Sequence, residues 1–306
     1  MPEPAFEISV VICSYNRADY IINAVESLYQ QTLAKNRFEV FVVDNNSIDN
    51  TGDLVQDFMS SHSDFHLHYL TEQQQGSSFA RNTGAAFAKA PLLCFMDDDA
   101  TAEPDYLERI VQFFAAHPDA TGLGGRIIPR YIPAEPTWMS YYVSSLVGNF
   151  DYSPSVAVFK PGKYPLESNM VVRKVDFNAI GGFNTELPGV KGTLRIGGEG
   201  KDFFLRLQAR GCKIYYDPAI VVHHVVEVKK LTPHYLYRVA SGIGRGERVR
   251  MLEKGKGALA KKFAEYLYKL GGSFVLGALY AAKGKPAQSW PVIKFRIDAL
   301  KGLLGR

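Results

Sequence analysis

The chain has 306 residues, 46% of them hydrophobic and 22% charged, which is ordinary for a soluble globular protein with one large α/β domain or a domain and an appendage. No run reaches the roughly 18 apolar residues that a membrane-spanning helix needs, and residues 1–7 lack the features of a signal peptide. The net charge of +4 is unevenly distributed, because residues 229–306 contain 17 Lys and Arg against 4 Asp and Glu, whereas the remainder contains 18 against 27.

Strand-like and helix-like segments alternate through the first hundred residues. Short apolar runs predict buried strands at residues 8–13, 38–43, 66–70 and 92–96. Apolar residues at helical spacing predict helices at residues 18–31, 48–61 and 77–88. This alternation favours βαβ units and a parallel sheet, and therefore an α/β fold. The turn after the first strand contains no glycine, so we expect no G-x-G-x-x-G dinucleotide site there.

Three adjacent carboxylates, Asp97, Asp98 and Asp99, follow directly after the strand predicted at residues 92–96. Such groups repel one another unless a positive charge lies among them, and oxygen ligands suit Mg²⁺ or Mn²⁺. Ligands of open α/β sheets bind just beyond the carboxyl ends of the strands. The position therefore favours a metal site, and the alternative is a solvated acidic turn at the start of the next helix.

Three features that follow the acidic triplet in the sequence are further candidates for a functional site. Glu199 and Asp202 open a predicted helix with a spacing that places both on one side, although acidic residues are also ordinary at a helix N-terminus. His223 and His224 end a predicted strand, where they are either metal or phosphate ligands or ordinary surface histidines. Residues 133–163 are rich in proline and aromatic residues, which indicates an acceptor groove or a satellite hydrophobic cluster.

Residues 229–306 are predicted to form basic helices in which Lys and Arg are interleaved with a wide apolar face that includes Trp290. Basic amphipathic helices with a tryptophan suit the interface of a membrane that carries anionic lipids. The alternative is a helical tail packed on the main domain. We expect no nucleic-acid partner, because the basic residues are interleaved with a wide apolar face.

Five segments in this order along the chain resemble glycosyltransferase family 2, whose members are inverting enzymes of the GT-A fold that use nucleotide-sugars. The resemblance covers roughly residues 8 to 225 and is carried by residues 11–17, 42–51, 76–84, 97–99 and 199–207. The sequence departs from the family in one place. Where the family often has consecutive Glu and Asp with a further Asp two residues on, this chain has Glu199-Gly200-Lys201-Asp202.

The resemblance implies a role for each candidate residue. The residues that it places at the nucleotide-sugar are Ser14, Asn16, Arg17, Asp44, Asn46, Arg81, Asp97 and Asp98. It implies that Asp97 and Asp99 hold a divalent metal, Mn²⁺ or Mg²⁺, to which His223 and His224 are added as further candidate ligands. The catalytic base that it implies is Glu199 or Asp202, since Gly200 leaves this choice open.

The expected function is therefore metal-assisted, inverting transfer of a sugar from a nucleoside-diphosphate sugar to a hydroxyl of a saccharide or lipid-linked saccharide. The expected nucleotide is UDP, and the expected role is cell-surface glycan synthesis. One rival is a sugar-nucleotidyltransferase, which would need a glycine-rich basic loop after the first strand to hold a triphosphate. The other is a non-catalytic module that binds membrane surfaces and whose acidic cluster is only structural.

The expected fold class is α/β of the GT-A, Rossmann-like type, with a mostly parallel mixed sheet flanked by helices and a basic C-terminal helical extension. We expect a GT-A domain at residues 1–228, with a nucleotide-binding half to about 125 and an acceptor half from about 126, followed by the tail at 229–306. The three cysteines lie far apart and indicate a reducing compartment. The expected location is the cytoplasm, at the inner face of the cell membrane.

Overall fold

A computed structural model describes residues 6–191 and 194–306 of the chain, so part of the N-terminal segment discussed above, residues 1–5, lies outside the described residues. The strands are β1 (Ile8–Ser14), β2 (Phe38–Asp44), β3 (Leu67–Thr71), β4 (Leu92–Asp97), β5 (Ala100–Ala102), β6 (Ala120–Ile132), β7 (Ala157–Val158), β8 (Asn169–Arg173), β9 (Gly189–Lys191), β10 (Leu194–Ile196) and β11 (Lys213–Glu227). The helices are α1 (Ile21–Tyr29), α2 (Thr51–Ser61), α3 (Ser77–Phe87), α4 (Tyr106–Ala116), α5 (Tyr141–Ser144), α6 (Lys174–Ala179), α7 (Glu199–Ala209), α8 (Pro233–Glu253), α9 (Lys256–Ala282) and α10 (Ser289–Leu303).

The chain divides into two compact units. The first, here called the sheet unit, comprises residues 6–128 together with Phe150–Thr185 and Gly200–His224. The second, the helical unit, comprises Pro129–Asn149, the described residues of Glu186–Glu199, and Val225–Arg306. The boundary expected between residues 228 and 229 falls within the helical unit.

The sheet unit contains a nine-stranded mixed sheet in the order β3-β2-β1-β4-β8-β6-β11-β5, with β7 paired to β11. Strands β3, β2, β1 and β4 are parallel, whereas β8 runs antiparallel to both β4 and β6. Alternate residues of the β-branched strands face opposite sides, so one buried cluster contains Val10 and Ile12 and the other contains Val11 and Val43. This mixed α/β sheet with helices against it confirms the expected fold class.

Two elements differ from the sequence-based expectation for local reasons. Helix α2 begins at Thr51 and not at residue 48, because Ser47 and Ile48 bond to Asn16 in the neighbouring loop. In the sequence, residues 212–216 and 219–222 are two separate strand-like segments, but strand β11 is continuous from Lys213 to Glu227. The backbone of this strand therefore continues past Pro218, a residue that has no N–H to donate.

The helical unit packs α8, α9 and α10 around a core that includes Val143, Val239 and Val292. Glycines allow α8 and α10 to approach each other closely. A Cβ atom at Gly244 of α8 would lie 2.0 Å from the carbonyl oxygen of Ala299, and one at Gly302 of α10 would lie 1.9 Å from that of Ser241. Hence the two helices are in backbone contact at these residues.

The surface of α9 carries exposed apolar side chains. Leu267, Phe274, Val275 and Leu279 are about half exposed or more, and their spacing of 7, 8 and 12 residues from the first places them on one side of the helix. Over the portion of the chain that the structure describes, we find no helix with the length and apolar character needed to cross a membrane.

Candidate active site

The acidic triplet lies where β4 ends and the chain turns into β5. Asp98 and Asp99 are buried, and Asp97 is half-buried. Single ligand atoms of Asp97, Asp99 and His224 all lie within 4.8 Å of one another. Two carboxylates and an imidazole at this separation are a suitable donor set for a divalent ion such as Mn²⁺.

Strand pairing explains how His224, distant in the sequence, reaches the triplet. β11 runs antiparallel to β5 with His224 opposite Ala100, so its Nε2 atom lies 3.0 Å from Oδ1 of Asp99. Successive residues of a strand face opposite sides. The neighbouring His223 accordingly lies elsewhere, with its Nε2 atom 2.7 Å from Oε1 of Glu103.

Two arginines partly neutralise the triplet. Arg17 lies 3.5 Å from Asp98 and 3.4 Å from Asp99, and Arg81 lies 3.6 Å from Asp97. Burial, followed by the charge of Asp99, nevertheless raises the pKa of Asp98 to about 7. A cation beside Asp98 and Asp99 would favour the charged carboxylates, so this arrangement suits a bound cation.

Ser168 was not predicted from the sequence as a site residue, yet its hydroxyl donates to Oδ2 of Asp97 at 2.6 Å. It directly precedes β8, and the register of β8 on β4 places Asn169 opposite Met96. The sequence shows only that Ser168 lies at the start of a predicted strand. It does not show that this strand pairs with β4, and so it does not indicate the contact with Asp97. Ser168 orients one of the carboxylates in the cluster.

Asp44 lies at the end of β2, opposite Ser14 of β1 in the parallel register. Its Oδ2 atom accepts a hydrogen bond from the Tyr69 hydroxyl at 2.6 Å, and its Oδ1 atom accepts one from the backbone N–H of Ser47 at 2.9 Å. Burial and this bond to Asp44 raise the pKa of Tyr69, so the phenol remains a donor. The carboxylate is held in place and still has acceptor capacity.

The predicted residues Asn16 and Asn46 shape the loops after β1 and β2. Both have left-handed backbone conformations, with φ of 54° and 67°, which asparagine tolerates better than most residues. The backbone N–H of Asn16 donates to the Ser47 hydroxyl, and its side-chain oxygen accepts from Ile48 N–H. These bonds tie the two loops together at the same edge of the sheet as the triplet.

Asn45 is a second residue that the sequence did not identify. Its amide nitrogen donates to the carbonyl oxygens of Glu72 and Gln74, and its amide oxygen accepts from Gly76 N–H at 2.6 Å. Gly76 directly precedes α3, the helix that carries Arg81. Asn45 therefore fixes the segment before α3 to the end of β2, a role that depends on partners 27 to 31 residues away.

The predicted catalytic carboxylates lie at the start of α7, whose first residue is Glu199. Asp202 accepts a hydrogen bond from Nε of Arg206 at 2.7 Å. Arg206 also donates to the carbonyl oxygens of Ile180 and Gly182. The ion pair of Asp202 with Arg206 therefore anchors the loop that follows α6. Glu199 is buried, and it falls in the helical unit, whereas Asp202 falls in the sheet unit.

The sequence matches the family described as glycosyl transferase family 2 over residues 9–167, slightly more than half of the chain. A curated relative, the glucosyl-dolichyl phosphate glucuronosyltransferase of Haloferax volcanii, is 29% identical over 221 residues. That alignment covers 71% of this chain and 69% of the relative.

Two solved structures are similar in fold. The mannosyltransferase PcManGT from Pyrobaculum calidifontis, in complex with GDP-Man and Mn²⁺, has a TM-score of 0.67 at 19% identity, covering 99% of this chain and 89% of that one. Residues 1–349 of S. aureus TarS, in complex with UDP-GlcNAc, have a TM-score of 0.57 at 15% identity, covering 94% and 91%. At these identities the similarity concerns the fold alone, and it is the GT-A fold that the sequence predicts.

Proposed function

Because the chain belongs to glycosyl transferase family 2, we propose that this glycosyltransferase moves a sugar, with inversion, from a uridine diphosphate sugar to a hydroxyl of a lipid-linked saccharide. The observation that carries the proposal is the cluster of Asp97, Asp99 and His224 at the carboxyl end of β4. Its carboxylate and imidazole donor atoms suit a divalent cation, and a diphosphate is a suitable further ligand for such a cation.

Inverting transfer is an in-line displacement in which negative charge develops on the leaving diphosphate. A divalent cation held by Asp97, Asp99 and His224 would supply Lewis-acid stabilisation of that charge. Two arginine side chains lie beside these carboxylates. Arg81 lies 3.6 Å from Asp97, and Arg17 lies within 3.5 Å of Asp98 and Asp99. Both can donate to diphosphate oxygens.

For the donor, we propose that Asp44 recognises the base by accepting the N–H of uracil. Its oxygens already accept from Tyr69 and Ser47, which fixes the direction of the remaining lone pairs. Ser14, Asn16 and Asn46 would line the same nucleotide site from the adjoining loops. Of the two neighbours, one is bound to GDP-Man and the other to UDP-GlcNAc, so the nucleotide needs a direct test.

The acceptor hydroxyl must lose a proton to a carboxylate as the new bond forms. The family resemblance indicates Glu199 or Asp202 for this role. The ion pair between Asp202 and Arg206 favours a positioning role for Asp202.

A lipid-linked acceptor is supported by the helical unit and by the name of the Haloferax relative, a glucosyl-dolichyl phosphate glucuronosyltransferase. The helical unit contains a cavity of about 290 Å³ whose lining is mainly apolar and includes both tryptophans, Trp138 and Trp290. Together with the exposed face of α9 and the basic residues 229–306, this cavity suits a protein that works against the cytoplasmic face of an anionic membrane.

A screen of UDP- and GDP-sugars tests the donor proposal, with nucleotide release measured with and without Mn²⁺. We expect turnover with a UDP-sugar that depends on added metal. Asp44→Asn should weaken UDP binding by roughly 10- to 100-fold, because a hydrogen bond to a charged group contributes about 1.5–3 kcal/mol. Asp53→Asn, at an exposed residue of α2, serves as the control. Equal UDP affinity in both variants would contradict the role of Asp44.

Liposome flotation tests the membrane proposal. Phe274→Ser with Val275→Ser should lower binding to anionic vesicles by about tenfold or more, because two apolar side chains then no longer enter the interface. Val175→Ser, at a residue of the sheet unit that is 71% exposed, is the matched control and should bind as the unaltered protein does. Binding that is unchanged in the double variant would exclude this face of α9 as the contact.

A further inference from the structure

Gly200 occupies the position at which the family often has the second of two consecutive carboxylates. In this protein, the space that a side chain at residue 200 would occupy is filled by another carboxylate. A Cβ atom at Gly200 would lie 2.4 Å from Oε1 of Glu167 and 2.5 Å from its carboxyl carbon. The backbone N–H of Gly200 donates to the same Oε1 at 2.8 Å. Glu167 therefore brings a carboxylate to the place where the side chain is missing.

The neighbours of Glu167 connect it to the metal cluster. The next residue, Ser168, donates its hydroxyl to Oδ2 of Asp97 at 2.6 Å. Consecutive Cα atoms are about 3.8 Å apart. The side chain of Glu167 thus contacts Gly200 in the first turn of α7, and the next side chain, that of Ser168, contacts the candidate metal ligand Asp97. These four residues belong to the sheet unit. The Glu167 side chain is half-buried and so retains access to solvent.

We propose that Glu167 is the general base of the transfer reaction, an assignment that rests on the proposed inverting mechanism. The acceptor O–H proton moves to the Glu167 carboxylate while the acceptor oxygen bonds to the anomeric carbon. The bond from that carbon to the diphosphate oxygen breaks, and its electron pair leaves with the nucleoside diphosphate. The substitution of Gly for a carboxylate at residue 200 is in this way offset by a residue 33 positions earlier.

A purely structural role for Glu167 must be distinguished from this one. A carboxylate that accepts a backbone N–H in the first turn of a helix stabilises the helix by interaction with its dipole. Glutamine retains an oxygen that accepts the same hydrogen bond but is not a base. The amide variant therefore preserves most of a capping role and removes proton abstraction.

The experiment compares Glu167→Gln with Glu199→Gln and Asp202→Asn in sugar transfer, UDP binding with Mn²⁺, and thermal unfolding. We expect Glu167→Gln to lose between about 10² and 10⁴ in turnover, the usual contribution of a general base, with UDP affinity and melting temperature nearly unchanged. Asp57→Asn, an acid-to-amide change at an exposed residue of α2, is the control. Turnover of Glu167→Gln within about threefold of the unaltered protein would overturn the assignment.

A rescue experiment separates catalysis from folding. Glu167→Ala removes the carboxylate and opens the space against which a side chain at residue 200 would collide. The double variant with Glu167→Ala and Gly200→Asp should turn over at least tenfold faster than Glu167→Ala alone. If the double variant is no faster and Glu167→Gln has normal turnover, the proposal is refuted. An unaltered protein that releases no nucleotide with any donor would overturn the proposed function as well, and so the two failures are distinguishable.

Discussion

Asp99→Asn is expected to lower the rate of sugar transfer by roughly a thousandfold or more and to abolish the dependence of UDP binding on Mn²⁺. Asp99 lies 3.0 Å from His224 and 3.4 Å from Arg17, and its side chain is 5% exposed, so it belongs to the buried part of the cluster. A metal that acts as a Lewis acid contributes several kcal/mol to the transition state, which corresponds to this change in rate. Calorimetry of UDP binding with and without Mn²⁺, beside a transfer assay, measures both effects.

The control for this prediction is Asp57→Asn, which makes the same chemical change at an exposed residue of α2 and should leave both measurements unaltered. Thermal unfolding of the two variants shows whether the fold is retained. If Asp99→Asn folds and still binds UDP in a metal-dependent manner, the cluster of Asp97, Asp99 and His224 is not the metal site.

Gly244→Ala is expected to destabilise the helical unit by about 3 kcal/mol, the upper end of the usual range for overpacking. The added Cβ atom would lie 2.0 Å from the carbonyl oxygen of Ala299, and backbone atoms cannot move aside as a flexible side chain can. Helices α8 and α10 would have to separate. Urea or thermal denaturation followed by circular dichroism measures the loss.

A matched substitution exists on α9. Gly271 is also helical and has no atom within 4 Å of the position of a Cβ atom, so Gly271→Ala should be neutral or should stabilise the helix by roughly 0.5–1 kcal/mol. Equal stability of the two variants would mean that α8 and α10 are not in backbone contact at Gly244.

The elements of the sheet unit were predictable where the sequence pattern is local. Strands β1 and β4 are found within one residue of the predicted bounds, because compact apolar runs next to helical patterns leave few alternatives. Asp44 ends β2 and Asp97 ends β4, and both of these strands pair in parallel with β1. Parallel strands linked by right-handed crossovers place such residues at one edge of the sheet.

Residues whose role depends on distant partners could not be predicted. Ser168, Asn45 and Glu167 each act through a contact 27 or more positions away, and nothing in their own segments marks it. The two histidines show the same limit. They are adjacent in the sequence, and only the pairing of β11 with β5 determines that His224 faces Asp99.

The hydrogen bonds of Asn16 and Asn45 have a consequence for the thermodynamics of ligand binding. Side-chain amides, and not regular secondary structure, join the loop after β1 to the loop after β2 and join the end of β2 to the segment before α3. The conformational entropy of these loops is thus lost when the chain folds, and little remains to be lost when the proposed nucleotide binds. More of the interaction energy then appears as affinity, which is the thermodynamic advantage of a preorganised site.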